Sequence, residues 1–212
     1  MKKTVLIILG ILLLLAACGS VAEETFGNTV APEKPVIYLY PEEEMTVEVQ
    51  LGFKGTLTST YPAYNNGWKV IAQPDGTLTD PATGKEYYCL FWEGIADTNY
   101  IITSGFVVAG SETEAFLEES LAQLGLTPRE ANEFIIYWLP RMEHNAWNLI
   151  SFDAAAYLDK AELTISPAPD SILRVFMTWQ ALDSPIEIPQ QLLPTFERVG
   201  FTVVEWGGAE LP

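Results

Sequence analysis

Apolar and polar residues alternate along much of this chain, and that pattern predicts a domain rich in β-strands. Residues 36–40 form a short apolar run between two prolines, which is typical of an entry strand. Across 45–53, apolar residues occupy every second position, as in a strand with one buried face. Turn sequences such as Asn65-Asn66-Gly67 divide the stretch from 55 to 92 into further strands.

The period changes to that of a helix at about residue 111. Ser111 and Glu114 form a capping-box pattern, and leucines follow at helical spacing until the next glycine. Thr127 and Glu130 repeat the capping pattern, and this second helix is expected to end at Pro140. The short link between the two helices predicts an antiparallel helical hairpin over about 111–139.

The remainder of the chain returns to the patterns of strands. They are predicted at 147–152, 162–166, 172–182 and 201–206, with a short C-terminal helix at 190–199. Strands, then helices, then more strands indicate the α+β class. We therefore expect a single α+β domain over 35–212, with a mostly antiparallel sheet. The helical hairpin and the short C-terminal helix are expected to pack on one face of that sheet.

The first residues have the pattern of an export signal. Lys2 and Lys3 precede an apolar run over 5–15, and small residues then lead to Cys18. The run is too short for a membrane-spanning helix, which needs about 20 residues. Residues 1–17 are therefore predicted to be a signal peptide.

Leu15-Ala16-Ala17-Cys18 resembles the lipobox of bacterial lipoproteins. The resemblance implies that Cys18 receives a diacylglycerol thioether and becomes the N-terminus, with 18–34 as a lipidated, flexible tether. The implied location is extracytoplasmic, with the lipid held in the cell membrane. In a host with an outer membrane, Gly19 after the cysteine favours that membrane. The alternative is an ordinary secretory signal in which Cys18 has no role.

The charge balance limits the partners of the folded part. The chain has 28 acidic and 11 basic residues, and its net charge is −17. Nucleic acid is disfavoured as a partner because phosphate binding relies on clustered cations, and the lysines and arginines are not clustered here. Direct adsorption to anionic lipid is disfavoured for the same reason, so the membrane is expected as a partner only through Cys18.

The sequence contains none of the catalytic motifs with a recognised spacing, and no cofactor or metal is expected. His144 is the only histidine, which excludes a metal site built from several histidines. Cys89 lies in an aromatic, apolar run that is typical of a buried strand. We interpret it as an inert core thiol.

One candidate site follows the second predicted helix. Glu143, His144 and Asn145 precede Trp147, so polar side chains gather beside an aromatic ring, as they do in small binding sites. Glu143 or His144 would act as acid or base, and Asn145 would orient a hydroxyl group. The alternative interpretation is that these residues cap the helix end and face water.

Trp92 and Glu93, at the end of a predicted strand, form the second candidate site. An exposed indole beside a carboxylate suits a sugar, because the ring stacks on the apolar face of the sugar and the carboxylate accepts hydrogen bonds from its hydroxyls. Hydrolysis of a glycosidic bond needs two carboxyl groups about 5–10 Å apart. The alternative interpretation is that Trp92 packs in the core.

The opening Lys-Pro-Val-Ile-Tyr-Leu-Tyr-Pro at 34–41, together with 74–78, 90–94 and 138–140, resembles a family of bacterial secreted or surface proteins. The resemblance covers nearly all of the predicted domain. It implies no activity, and no site residue is carried over from it.

Three functions remain open from the sequence. The first is a non-catalytic, lipid-anchored surface domain that binds an envelope component, a glycan or a protein. The second is a hydrolase of extracellular or cell-wall polysaccharide, with Glu93 and Glu143 as its carboxylates. The third is a structural subunit of an envelope complex. If Glu93, Glu143 and His144 line one concave pocket, the first two functions are favoured. If these residues are scattered over the surface, the third function is favoured.

Overall fold

The computed structural model describes residues 30–212, so the predicted signal peptide and Cys18 lie outside the described residues. The described part is a single domain dominated by strands, with a few helices, and the predicted α+β class is confirmed. In chain order the strands are β1 (Glu33–Tyr40), β2 (Met45–Phe53), β3 (Thr56–Tyr61), β4 (Trp68–Ala72), β5 (Leu78–Thr79), β6 (Glu86–Tyr87), β7 (Leu90–Ile95), β8 (Phe106–Ala109), β9 (Trp147–Ser151), β10 (Ala161–Ser166), β11 (Ser171–Leu182) and β12 (Thr202–Glu210). The helices are α1 (Thr113–Leu124), α2 (Pro128–Met142) and α3 (Ala155–Lys160).

The strands form two sheets rather than the one expected. The larger has the order β3-β7-β1-β12-β11-β9-β8, and the smaller has the order β10-β2-β4-β5-β6. Among the strand pairs of residues 30–212, β11 and β12 run parallel and the others run antiparallel. The last strand in the sequence, β12, thus lies in the middle of the larger sheet, between β1 and β11.

Two hydrophobic clusters show how the layers stack. One joins α1 and α2 to one face of the larger sheet, and the other joins the opposite face to the smaller sheet. Strand β1 displays the alternation that makes this possible, since Val36 and Tyr38 face the helices while Ile37 and Leu39 face the smaller sheet. A strand buried on both faces has a continuous apolar sequence, and 36–40 is such a run.

Two helices occupy the region where the sequence predicted them, but the details of their ends differ. The capping box of Thr127 and Glu130 is confirmed, with hydrogen bonds in both directions. Ser111 caps nothing, because a 3-10 turn precedes α1. The backbone of Asn145 presses against Gly110 in that turn, which leaves no room for a side chain there. The antiparallel pairing of α1 and α2 stays a prediction.

Two expectations about the helices were wrong. Helix α2 continues through Pro140 to Met142, since a proline in the last turn removes only one backbone hydrogen bond. The predicted helix at 190–199 is absent, and the chain is irregular there. Pro194 interrupts any helix at its centre. Side chains hold the segment instead, with Arg198 bonded to the buried Glu130 and Gln191 accepting a hydrogen bond from the backbone of 152.

Candidate functional site

A groove opens on the helix-facing side of the larger sheet, above β7 and the start of β1. Its floor forms because cross-strand register places Phe91 beside both Val36 of β1 and Tyr61 of β3. The cavity has a volume of about 410 Å³, within the usual range for small-molecule sites. We call this cavity the aromatic groove, and its lining residues are Lys34, Val36, Tyr61, Glu86, Tyr87, Tyr88, Cys89, Phe91 and Glu93.

Tyrosine rings dominate the exposed surface of the aromatic groove. Tyr61 is 65% exposed and Tyr88 is 49% exposed, which is unusual for such large side chains. The rings of Tyr61 and Tyr87 meet edge to face, with centroids 5.4 Å apart and an angle of 81° between their planes. The edge of one ring therefore packs against the face of the other, an arrangement that aromatic pairs favour.

Irregular backbone at the start of β1 shapes one end of the groove. The pairing of β1 with β12 shifts register between Glu33 and Val36, as in a β-bulge. Lys34 within this bulge has a φ of 56°, in the left-handed region that side chains rarely adopt. The Glu93 carboxylate accepts a 3.4 Å hydrogen bond from the Lys34 amide, so Glu93 holds the bulge in place.

Helix α2 contributes a set of paired charges beside the groove. Arg141 bonds to the carboxylate of Glu33 and lies over the ring of Tyr137. The Tyr137 hydroxyl donates a 2.9 Å hydrogen bond to the same carboxylate. Burial, and then this hydrogen bond to Glu33, raise the pKa of Tyr137 to about 12, so the hydroxyl remains a donor at neutral pH. Lys34 adds its Nζ atom 5.6 Å from the centre of the Tyr137 ring.

Cys89 lies at the floor of the groove as a free, buried thiol. Burial raises its pKa to about 12, far above the range in which a thiol reacts as thiolate at neutral pH. The prediction of a buried thiol is confirmed, and the groove has no activated cysteine nucleophile.

Of the second sequence candidate, only Glu93 reaches the groove. Trp92 is 0% exposed, and its indole Nε1 donates a 3.3 Å hydrogen bond to the buried Glu205. Neighbouring residues of a strand point to opposite faces, so Glu93 faces the groove while Trp92 faces the smaller sheet. Trp92 is therefore a core residue, and its assignment as a ligand-binding residue is wrong.

The first sequence candidate lies elsewhere, at the C-terminal end of α2. None of Glu143, His144, Asn145 or Trp147 lines the aromatic groove. The His144 side chain is 87% exposed, and its nearest charged neighbour is Glu143, 3.8 Å away. Asn145 donates hydrogen bonds to the Arg141 carbonyl and to Asn148 Oδ1, which ends the helix. This geometry supports the alternative interpretation, in which the cluster terminates a helix and faces water.

The sequence analysis missed the tyrosines that form the groove. Tyr61 precedes Pro62, and Tyr87 and Tyr88 follow the turn at Gly84. Aromatic residues next to turns are a signal that could have been noticed, because chain reversals lie at the surface. Their meeting with Phe91 depends on strand pairing, which a local pattern does not reveal.

A larger cavity of about 770 Å³ lies at the opposite edge of the sheet, beside β8. It is lined by residues 105–108, Phe116 and residues 186–190, and Glu187 is the only charged residue among them. The aromatic groove combines exposed rings with several charged groups and is therefore the better candidate for ligand recognition.

Residues 30–212 contain no cluster of three or more histidine, cysteine, aspartate or glutamate side chains arranged to hold a metal ion. No helix in this range is both long enough and apolar enough to cross a membrane.

Comparison with known proteins places the chain beside a bacterial relative. No family model and no solved structure matches it. An "Uncharacterized protein in bglA 3′ region" of Butyrivibrio fibrisolvens is 39% identical over 83 residues, which span 38% of this chain and 81% of that protein. Identity at this level over most of the relative shows common ancestry, and the chain belongs to the same family as that protein.

Proposed function

We propose that this protein is a lipid-anchored, extracytoplasmic protein whose aromatic groove binds a glycan without catalysis. One observation carries the proposal: the exposed ring of Tyr61 meets the half-buried ring of Tyr87 at 81° in a cavity that two carboxylates also line. A sugar has apolar faces formed by C–H groups and an edge of hydroxyls. Tyr61 or Tyr88 suits the faces, and Glu86 or Glu93 accepts hydrogen bonds from the hydroxyls.

The anchor in this proposal is the diacylglycerol thioether on Cys18, which rests on the lipobox resemblance. With the lipid supplying membrane attachment, the acidic domain needs no lipid-binding surface of its own. We retain the antiparallel helical hairpin of α1 and α2 as part of the proposal. Both helices contribute side chains to the cluster on that face of the sheet, and α2 carries the Tyr137 and Arg141 side chains that border the groove.

Binding of the full, detergent-solubilised chain to a panel of neutral, amino and acidic polysaccharides tests the proposal. Tyr61→Ala removes the most exposed ring and should weaken binding at least tenfold, a loss of about 1.4 kcal/mol. Ile101→Ala, at a residue that is 69% exposed and outside the groove, should leave affinity unchanged. Binding to none of the polysaccharides, or equal loss in both variants, would contradict the proposal.

Hydrolysis is the second candidate, and one observation favours it: Glu86 and Glu93 both line the groove. Glu143, the partner suggested by the sequence, lies outside it. If the protein releases reducing ends from a bound polysaccharide, and Glu93→Gln abolishes this release, then the function is hydrolysis and not binding alone. Recovery of the protein in a defined envelope complex, with no glycan bound, would favour a structural role instead.

A further inference from the structure

We infer that the aromatic groove selects glycans that carry free, protonated amino groups over neutral and acidic glycans. This inference rests on the proposed function and names the ligand class for the same site. It depends on the balance of charges that face the groove, and on the ability of tyrosine rings to attract cations.

The two carboxylates of the groove keep their charge available. Within residues 30–212, neither Glu86 nor Glu93 takes part in an ion pair. The Glu93 carboxylate accepts a hydrogen bond from the Lys34 amide, which fixes its position without neutralising it. An ammonium group that enters the groove would therefore meet carboxylates that have no cation of their own.

The cations near the groove are largely engaged elsewhere. Arg141 is bonded to Glu33, and Arg129 lies 3.9 Å from Glu133 while it packs over the ring of Tyr88. Each of these pairs contributes no net charge to the groove. Lys34 is the one lysine or arginine among the lining residues, and its Nζ lies over the ring of Tyr137.

The lining residues thus leave an excess of negative charge. Two carboxylates oppose one lysine among them. The whole chain adds to the effect, since its net charge of −17 attracts cations and repels anions at long range. An acidic glycan would bring further negative charge into the groove and should bind poorly.

Tyrosine rings strengthen this preference. A cation within about 6 Å of an aromatic centroid is attracted to the negative face of the ring. Arg129 already lies over the ring of Tyr88 in the groove, and Lys34 of the groove lies over the ring of the neighbouring Tyr137. The exposed face of Tyr61 is free to attract an amino sugar in the same way.

A matched pair of oligosaccharides tests the inference. Hexamers of glucosamine and of N-acetylglucosamine share ring and linkage, and at mildly acidic pH only the first carries protonated amines. Calorimetry on the full, detergent-solubilised chain should show at least tenfold tighter binding of the glucosamine hexamer at low salt. The preference should shrink as salt is added, because salt screens exposed charges. Oligogalacturonate, an acidic probe, should bind more weakly than either hexamer.

Conservative variants then locate the effect. Glu86→Gln and Glu93→Gln should each reduce the preference for the glucosamine hexamer over the acetylated hexamer at least threefold. Glu143→Gln, which removes a carboxylate outside the groove, should keep the full preference. The comparison of the two hexamers on the unmodified chain stays decisive even where a variant fails to fold.

The possible failures are distinguishable. Equal affinity for the two hexamers, or a preference for oligogalacturonate, overturns the inference and leaves glycan binding intact. If Glu93→Gln and Glu143→Gln show the same preference for the glucosamine hexamer, the groove carboxylates are not the source of that preference. Binding of no saccharide of any kind overturns the proposed function, and the inference with it.

Discussion

Glu205 shows at the scale of a single residue how a charge is accommodated between two sheets. It lies on β12, directly across from Arg174 on β11, and is 1% exposed. Its carboxylate accepts hydrogen bonds from Arg174, from the Tyr157 hydroxyl at 2.8 Å and from the Trp92 indole. Arg174 in turn donates to the carbonyl of Ala161. The cluster ties both sheets and α3 together.

Removal of this carboxylate should destabilise the protein strongly. Glu205→Ala leaves the Arg174 guanidinium buried without its counter-ion, which typically costs about 3–5 kcal/mol. Glu48→Ala is the matched control, because its ion pair with Lys69 is exposed and should contribute less than about 1 kcal/mol. Urea unfolding followed by tryptophan fluorescence measures both. Similar losses of unfolding free energy in the two variants would show that the buried cluster contributes no more to stability than the exposed ion pair.

At the scale of secondary structure, the ends of α1 and α2 differ in a way that can be measured. Thr127 and Glu130 exchange hydrogen bonds at the start of α2, whereas Ser111 makes no capping bond. Thr127→Ala should therefore lower the free energy of unfolding by about 1 kcal/mol, and Ser111→Ala should change it by a few tenths at most. Chemical denaturation of the two variants checks the difference. Equal effects would mean that α1 begins at Ser111, as its sequence suggested.

The outcome at these helix ends shows what local patterns can predict. The capping bonds of Thr127 and Glu130 join each side chain to the backbone of the other residue, three positions away, so the local sequence pattern was sufficient to predict them. Ser111 belongs to a turn whose shape is set by the distant backbone of Asn145 against Gly110. The helix predicted at 190–199 is absent for a related reason. Arg198 bonds to Glu130 on another element, and Pro194 opposes a helix locally.

At the scale of the whole molecule, several buried tyrosines make stability depend on pH. Burial raises the pKa of Tyr157 well above its ordinary value of 10.0, and it raises the pKa of Tyr38 as well. Burial also raises the pKa of Cys89 from 9.0 to about 12. These groups stay protonated in the folded protein while the unfolded chain releases their protons. Their contribution to stability is therefore complete below the ordinary pKa values and is lost as pH rises above them.

The free energy of unfolding should thus fall above pH 10, by about 1.4 kcal/mol per pH unit for each tyrosine that stays protonated. The urea midpoint between pH 8 and 11 measures the decline, and tyrosinate absorbance monitors ionisation. A constant midpoint over this range would contradict the prediction.

The larger sheet also explains why the site was only partly predictable. Alternation along β7 indicates that Trp92 and Glu93 face opposite sides, but not which side a second sheet covers. The groove further requires Tyr61 and Phe91 to meet across a strand pair. The local sequence was sufficient to predict the α+β class and one carboxylate of the groove, that of Glu93. The remaining members were brought together by pairing between strands that are distant along the chain.

The central place of β12 has a consequence for when the protein can fold. This strand follows the other eleven described strands along the chain, yet it separates β1 from β11 and contributes residues to both hydrophobic clusters. An incomplete chain on the ribosome lacks the strand that joins the two halves of the larger sheet. The larger sheet is therefore incomplete until β12 has been synthesised. For a protein exported as we propose, that delay keeps the chain extended enough to pass through a translocation channel and reserves folding for the far side of the membrane.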